Sequence, residues 1–84
     1  MTAQAQQRST QIAAQDAALT APDLWLYYFS VGGNLRAFDI DAYLNGVYPL
    51  PVGERNLIAL ALNEMIDALP PRPRAVFDDD LVFP

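Results

Sequence analysis

Glycine and proline divide this chain into segments too short for anything but small helices or strands. Its 84 residues include 4 glycines and 7 prolines. Breaks occur at Gly32-Gly33, Asn45-Gly46, Pro49-Leu50-Pro51 and Pro70-Pro71. Glycine ends helices because it adopts a left-handed backbone at little cost, and proline ends them because it lacks an amide hydrogen. We therefore expect a few short elements joined by tight turns.

The first of these elements carries a helix-start signal. Thr20 or Ala21 lies near the cap of this helix. Pro22 suits its first turn, and Asp23 complements its dipole. The aromatic run that follows is also compatible with a buried strand by periodicity alone. The flanking signals favour a helix at about 22–32.

Two further helices are expected. Asp39 can cap a short helix at about 39–46, in which Ile40, Tyr43, Leu44 and Val47 share one face. A longer helix at about 52–69 is the clearest element, because apolar residues cover half of its circumference. That apolar face consists of Leu57, Ile58, Ala61, Leu62, Met65, Ile66, Ala68 and Leu69. The sequence thus predicts an all-α fold, a small three-helix bundle.

The two ends of the chain differ from this helical core at 20–69. Residues 1–19 are rich in Ala and Gln, which favour helix, but Ile12 and Leu19 are their only large apolar side chains. An unpacked helix of this length is marginal in water, so we expect a frayed helix or a disordered arm. Residues 70–84 form a Pro-rich segment and then an acidic-hydrophobic tail, predicted to be extended.

The composition argues against catalysis. There is no Cys and no His, which removes disulfides, thiolate metal sites and imidazole chemistry. The remaining Ser, Thr and Tyr nucleophiles form no recognisable constellation with a base. The spacing from Asp39 to Asn45-Gly46 only partly matches a calcium loop, because the twelfth position is Leu50 instead of an acid. We expect no catalytic residue, no metal and no cofactor.

Net charge and hydropathy limit the location and the partners. The formal net charge of −5 argues against direct nucleic-acid binding, which needs clustered cations. No apolar run is long enough to span a membrane, and residues 1–20 contain no signal-peptide core. These features predict a cytoplasmic protein without membrane contact. All five basic residues are Arg, which is typical of GC-rich genomes and indicates a bacterial origin.

An excess of apolar side chains indicates a binding surface. Residues 25–29 read Trp-Leu-Tyr-Tyr-Phe and point all round a helix. Leu24, Tyr28 and Val31 suit the face towards the core. Trp25 and Phe29 then flank that face, while Leu26 and Tyr27 look outward. The predicted helical binding residues are Trp25, Leu26, Tyr27, Phe29 and Leu60, the last standing alone on a polar helix face. Alternatively, the N-terminal arm folds back and covers them.

The tail is the second predicted binding feature. Its candidate residues are Phe77, Asp78, Asp79, Asp80, Leu81 and Phe83. An acidic-hydrophobic segment of this kind can dock in a basic, apolar groove. The alternative is that its apolar residues fold back to complete a small core.

These features predict a non-catalytic protein-binding module, a small bacterial regulatory or adaptor protein. Its expected partner is another protein with a basic or apolar groove. A homodimer is a further expectation, because a core of about fifty residues buries little surface. The alternative function is an accessory or structural subunit of a larger enzyme or assembly, folding on its partner.

Overall fold

The computed structural model describes residues 2–70, and this part of the chain is entirely helical. Its four helices are α1 (Ala3–Asp16), α2 (Ala21–Ser30), α3 (Ala37–Leu44) and α4 (Val52–Ala68). Both α1 and α2 pack against α3 and against α4. The all-α prediction is confirmed. The helix count differs, because a helix forms in the N-terminal arm in addition to the three expected.

Helix α1 is anchored by small and amide side chains instead of large apolar ones. Its N-cap is Thr2, whose hydroxyl oxygen accepts a hydrogen bond from the Ala5 amide at 3.0 Å. Thr10 and Ala14 are buried on its inner face. Small residues let two helix backbones approach closely, so burial is achieved without bulky side chains. The frayed or disordered arm expected from the shortage of large apolar residues is therefore not what the structure shows.

Glutamine side chains hold α1 to the rest of the bundle. Gln7 Nε2 donates to the carbonyl oxygens of Tyr43 and Tyr48, at 2.9 and 3.2 Å. The Gln6 amide donates to Asn56 Oδ1 at 2.9 Å and accepts from Arg55 Nε at 3.0 Å. These contacts join the first turns of α1 to the end of α3 and the start of α4.

Helix α2 begins where the sequence predicts and ends two residues earlier than expected. Thr20 is its cap, and the Thr20 and Asp23 side chains each accept a hydrogen bond from the backbone amide of the other. At the other end, the Gly33 amide donates to the Tyr28 carbonyl at 3.0 Å, and Gly32 has a φ of +103°. This left-handed glycine confirms the predicted cap.

Helix α3 spans 37–44 instead of 39–46. Asp39 does not precede the helix but lies in its first turn, where its Oδ2 accepts from the Arg36 amide at 3.0 Å. The helix ends at Leu44, and Gly46 adopts a φ of +72°. Val47 therefore leaves the predicted apolar face and is 68% exposed, although Ile40 and Tyr43 are buried as expected.

All four helices contribute to the core. The buried apolar residues are Ala14, Leu24, Tyr28, Ile40, Ala42, Tyr43, Leu50, Ile58, Ala61 and Leu62. The predicted inner face of α4 is correct at its centre, but Ala68 and Leu69 are exposed. We attribute this to length, because α4 has 17 residues whereas α2 and α3 have 10 and 8.

Candidate protein-binding surface

Helix α2 is buried on one side and apolar on the other. Leu24 and Tyr28 are fully buried, whereas Leu26 and Phe29 are 63% and 59% exposed. Pro22, also exposed, precedes Leu26 by four residues, and Phe29 follows Leu26 by three, so the three lie on one side of the helix. We call Pro22, Trp25, Leu26 and Phe29 the α2 outer face.

Trp25 lies at the edge of the α2 outer face and is held in place. It is half-buried, and its indole Nε1 donates to the Leu35 carbonyl at 2.9 Å. The Trp25 and Phe29 ring centroids are 5.4 Å apart, with an interplanar angle of 34°. A tilted aromatic pair at this distance is a favourable arrangement. The rings therefore form a continuous apolar surface whose Trp25 end is fixed by a hydrogen bond.

Tyr27 does not look outward as the sequence predicts. Its ring is half-buried, and its hydroxyl donates to Glu64 Oε2 on α4 at 2.6 Å. This hydrogen bond to the carboxylate is the main reason that the Tyr27 pKa is raised. Each residue turns about 100° around a helix, which carries Tyr27 from the outward position of Leu26 towards α4. Tyr27 thus connects two helices and is not part of the α2 outer face.

The other predicted binding residues lie elsewhere. Leu60 is 50% exposed on the polar face of α4, as expected, but it is on a different helix from the α2 outer face. The contact between α4 and α2 includes Glu64 and Glu54. The tail residues Phe77, Asp78, Asp79, Asp80, Leu81 and Phe83 lie outside the described residues, so their role stays a prediction.

Phe38 is an exposed aromatic residue that the sequence reasoning missed. It is 70% exposed in the first turn of α3. A helix that starts after a cap at Asp39 would leave Phe38 outside it, so the expected start at Asp39 conceals this residue. If Asp39 is placed within the first turn, Phe38 falls about 200° from the buried Ile40 around the helix. That spacing alone predicts an outward ring.

Three tyrosine–carboxylate pairs brace the bundle. The Tyr28 hydroxyl donates to Glu54 Oε2 at 2.5 Å, and the Tyr48 hydroxyl donates to Asp39 Oδ1 at 2.6 Å. The third pair is Tyr27 with Glu64. Burial, and then the Glu54 hydrogen bond, raises the Tyr28 pKa. The Asp39 hydrogen bond raises the Tyr48 pKa, and the same bond lowers that of Asp39.

These pKa directions favour a structural role for the pairs. A tyrosine that removes a proton from a substrate must itself lose its proton readily, which requires a lowered pKa. Here the carboxylates stabilise the protonated phenols of Tyr27, Tyr28 and Tyr48 as hydrogen-bond donors. The arrangement therefore suits bracing of α2 against α4 by Tyr27 and Tyr28, and of the α3–α4 connection against α3 by Tyr48, better than removal of a proton from a substrate.

Three depressions on the described surface are either small or open to solvent. The clefts of α1 against α4 and of α1 against the α2–α3 side have volumes of about 220 and 210 Å³. These lie below the usual range of ligand pockets, roughly 300–1,000 Å³. A depression of about 560 Å³ along α1 is open to solvent and is lined partly by Ala5, Ser9 and Ala13. The α2 outer face is the more distinctive surface.

Neither a metal-binding cluster nor a membrane-spanning helix occurs within residues 2–70. No three Asp, Glu, His or Cys side chains there are grouped so that they could hold a metal ion. No helix in this part of the chain has both the length and the apolar character needed to cross a membrane. Comparisons of the chain with protein-family models, curated proteins and solved structures find no match.

Proposed function

We propose that this chain is a non-catalytic protein-binding module, a small bacterial regulatory or adaptor protein that contacts its partner through the α2 outer face. The observation that carries the proposal is the exposure of Leu26 and Phe29 on a helix that is firmly packed on its other side. Removing apolar surface from water contributes roughly 25 cal/mol per Å². Neighbouring exposed apolar residues are typical of interaction sites.

The rigidity of α2 supports this proposal. Its start is fixed by the Thr20–Asp23 capping box, and its end by the Gly33-to-Tyr28 backbone hydrogen bond. Trp25 is fixed by its bond to Leu35. Binding costs less when side chains and backbone are already ordered, so this surface loses little freedom on association.

The chemistry of the α2 outer face favours an apolar partner. The chain has no charged residue between Asp23 and Arg36, so the exposed side of α2 is uncharged over its last two turns. Pro22, Leu26 and Phe29 follow one another at spacings of four and three residues. This is the spacing of the apolar residues by which an amphipathic helix binds in an apolar groove. We propose that the partner presents a groove or helix stripe of this kind.

A second candidate function is that of an accessory subunit that folds on a larger assembly. The observation favouring it is that exposed apolar side chains also occur on other elements, namely Phe38, Val47, Val52 and Leu60. Cooperative unfolding of the purified chain would support an autonomous adaptor. Gradual loss of helix, with sharp unfolding only in a complex, would support the subunit.

The proposal is tested with a double variant of the full chain, Leu26→Gln with Phe29→Gln. Val47→Gln is the matched control, because Val47 is equally exposed but lies outside α2. Each tagged chain is expressed in its natural host, and co-purified proteins are quantified by mass spectrometry. We expect the double variant to lose specific partners by at least roughly tenfold, as about 1.4 kcal/mol of lost binding implies. Partners retained equally by all three chains would contradict the proposal.

A further inference from the structure

We propose that, in the free protein, the α2 outer face is occupied by the chain's own residues 77–83, Phe-Asp-Asp-Asp-Leu-Val-Phe. The segment docks within the same molecule and competes with the partner for that face. This inference rests on the proposed function, because both assign the α2 outer face as a docking surface. Three features carry it: the reach of the chain, the apolar match and the position of Arg36.

The end of α4 lies close enough to α2 for the segment to reach its outer face. The 2.6 Å hydrogen bond from Tyr27 to Glu64 joins α2 to the second half of α4. Pro70 follows Glu64 by only six positions, or about 9 Å at the rise of a helix. The seven residues from Pro70 to Phe77 span up to about 24 Å when extended, and a helix is about 10–12 Å across. The chain can therefore cross α2 beside Tyr27 and place Phe77 on the outer face.

The segment matches the apolar character of this surface. The outer face presents the exposed side chains of Leu26 and Phe29 beside the Trp25 ring. The segment supplies Phe77, Leu81, Val82 and Phe83. Contact between the two sets would remove large apolar groups on both sides from water, which is the main driving force of association.

The charges are complementary where the α2 outer face meets α3. The Trp25 indole donates its hydrogen bond to the Leu35 carbonyl. The backbone of the next residue, Arg36, therefore lies beside the Trp25 ring. Arg36 is exposed and lies within electrostatic reach of Asp39 and Tyr48, whereas the Arg55 guanidinium already donates to Leu50 and Gln6. A run of three aspartates separates the apolar residues of the segment. Arg36 can pair with this run when Phe77 and Leu81 lie on the rings.

A disulfide trap in the full chain tests the docking, because the natural sequence contains no Cys. The trap is Leu26→Cys with Leu81→Cys, and the control pair is Val47→Cys with Leu81→Cys. We expect mild oxidation to convert most of the trap, but little of the control, into an intramolecular disulfide. Mass and mobility on non-reducing gels distinguish this product from a covalent dimer. Equal trapping of both pairs overturns the inference, and so does a dimer as the main product, which would mean that a second copy supplies the segment.

A second experiment uses Trp25, the single Trp of the chain, as a reporter. The full-length variant carries Phe77→Ser with Phe83→Ser, and Val76→Ser is the control. We expect the double variant to shift Trp25 emission to longer wavelength and to increase its quenching by acrylamide. High salt should produce part of this shift in the natural chain, because it screens the Arg36–aspartate attraction. Unchanged emission and quenching in the double variant overturn the inference.

Failure of this inference can be distinguished from failure of the proposed function. If residues 77–83 mask the partner site, the Phe77→Ser, Phe83→Ser chain captures more of the partners that Leu26→Gln, Phe29→Gln loses. If the disulfide trap and Trp25 fluorescence are negative while Leu26→Gln, Phe29→Gln still loses partners, the docking is refuted and the binding function stands. If the trap forms and no partner depends on α2, the binding function is refuted and the internal contact stands.

Discussion

Tyr28 joins three parts of the fold through one hydroxyl group. The group donates to Glu54 at the start of α4 and accepts from the Asn34 and Leu35 amides, at 3.1 and 3.0 Å. Gly33 lies so close to the ring that a Cβ atom there would clash with it. One buried side chain thus connects α2, the turn that follows it and α4, and this turn also positions the Leu35 carbonyl that holds Trp25.

Tyr28→Phe should therefore destabilise the chain, and Tyr43→Phe provides the contrast. Removing the Tyr28 hydroxyl leaves the part-buried Asn34 and Leu35 amides and the Glu54 carboxylate without that partner, which costs about 1–3 kcal/mol of unfolding free energy. The buried Tyr43 hydroxyl has no hydrogen bond of good geometry within residues 2–70, although Thr10 lies close enough to lower its pKa, so its removal should be neutral or stabilise by up to about 1 kcal/mol. Urea denaturation followed by circular dichroism measures both. Equal losses in the two variants would refute the assignment of the Tyr28 network.

Alkaline pH should destabilise the fold through its tyrosines. All four, Tyr27, Tyr28, Tyr43 and Tyr48, have a pKa raised above the ordinary value of 10.0. A raised pKa in the folded state means that their contribution to stability is fully present below pH 10.0 and is lost as pH rises through the folded-state values. We expect the unfolding free energy to stay level from neutrality towards pH 10.0 and to fall above it.

The absence of Lys simplifies the interpretation of this pH dependence. The chain contains no Lys, so no ammonium group titrates in the same range. Phenolate absorbance, recorded with urea denaturation at each pH, would report the tyrosines directly. Phenolate forming in the folded chain at the ordinary tyrosine pKa, with no loss of stability, would contradict the prediction.

At the scale of the elements, three of the four helices end in the same hydrogen-bonded motif. The amides of Leu19, Gly33 and Val47 donate to the carbonyls of Ala14, Tyr28 and Ala42, at 3.0, 3.0 and 2.9 Å. Each motif contains one residue with a positive φ, which is Ala18 at +56°, Gly32 at +103° or Gly46 at +72°. Two of these ends are visible in the sequence as glycine. The end of α1 is not, because an alanine occupies the left-handed position.

Ala18→Gly should stabilise the chain. A left-handed backbone costs a non-glycine residue about 1–2 kcal/mol, and glycine avoids this cost. Glycine also loses more backbone entropy on folding, which offsets part of the gain. We expect a net gain of several tenths to about 1 kcal/mol in unfolding free energy. The reverse change, Gly46→Ala, is the matched control and should destabilise by about 1 kcal/mol. Thermal unfolding of both variants shows whether each change raises or lowers stability. A destabilised Ala18→Gly chain would show that the left-handed backbone of Ala18 does not limit the stability of the chain.

At the scale of the whole molecule, the N-terminal arm is an integral part of the bundle. Both α1 and α2 pack between α3 and α4, so each of the four helices has two neighbours. Polar contacts from Gln6 and Gln7 and the burial of Thr10 and Ala14 join α1 to the others. With α1 the chain gains buried surface that a three-helix core of about fifty residues would lack.

Ala14→Gln tests whether α1 is packed as described. A longer side chain at this buried position should force the helices apart and cost about 1–3 kcal/mol of unfolding free energy. Ala5→Gln, at an exposed position of the same helix, should have little effect. Circular dichroism and Trp25 fluorescence should report one shared transition for the natural chain. Equal tolerance of both substitutions would mean that α1 does not pack on the bundle.

Local signals in the sequence were sufficient for the helical class, for the Thr20 start and Gly32 end of α2, and for the inner face of α4 around Ile58. They were also sufficient for an outward Leu26, because rotation around one helix determines which residues oppose Leu24 and Tyr28. They failed by two residues at α3. Asp39 suits a cap and a first helical turn equally well, and that ambiguity misplaced Val47 and concealed Phe38.

The amino-acid sequence by itself determined the helical class, the start of α2, which catalytic and metal-binding residue types are missing, and that α2 carries more apolar surface than a core can hold. Only the tertiary structure decided that α1 packs, that Tyr27 turns to Glu64, and that Trp25 is held by Leu35. The physical reason is the distance along the chain over which each interaction acts. Caps and breaks act over a few residues, whereas the burial of Ala14 and the partners of Tyr27 and Trp25 depend on surfaces supplied from distant parts of the chain.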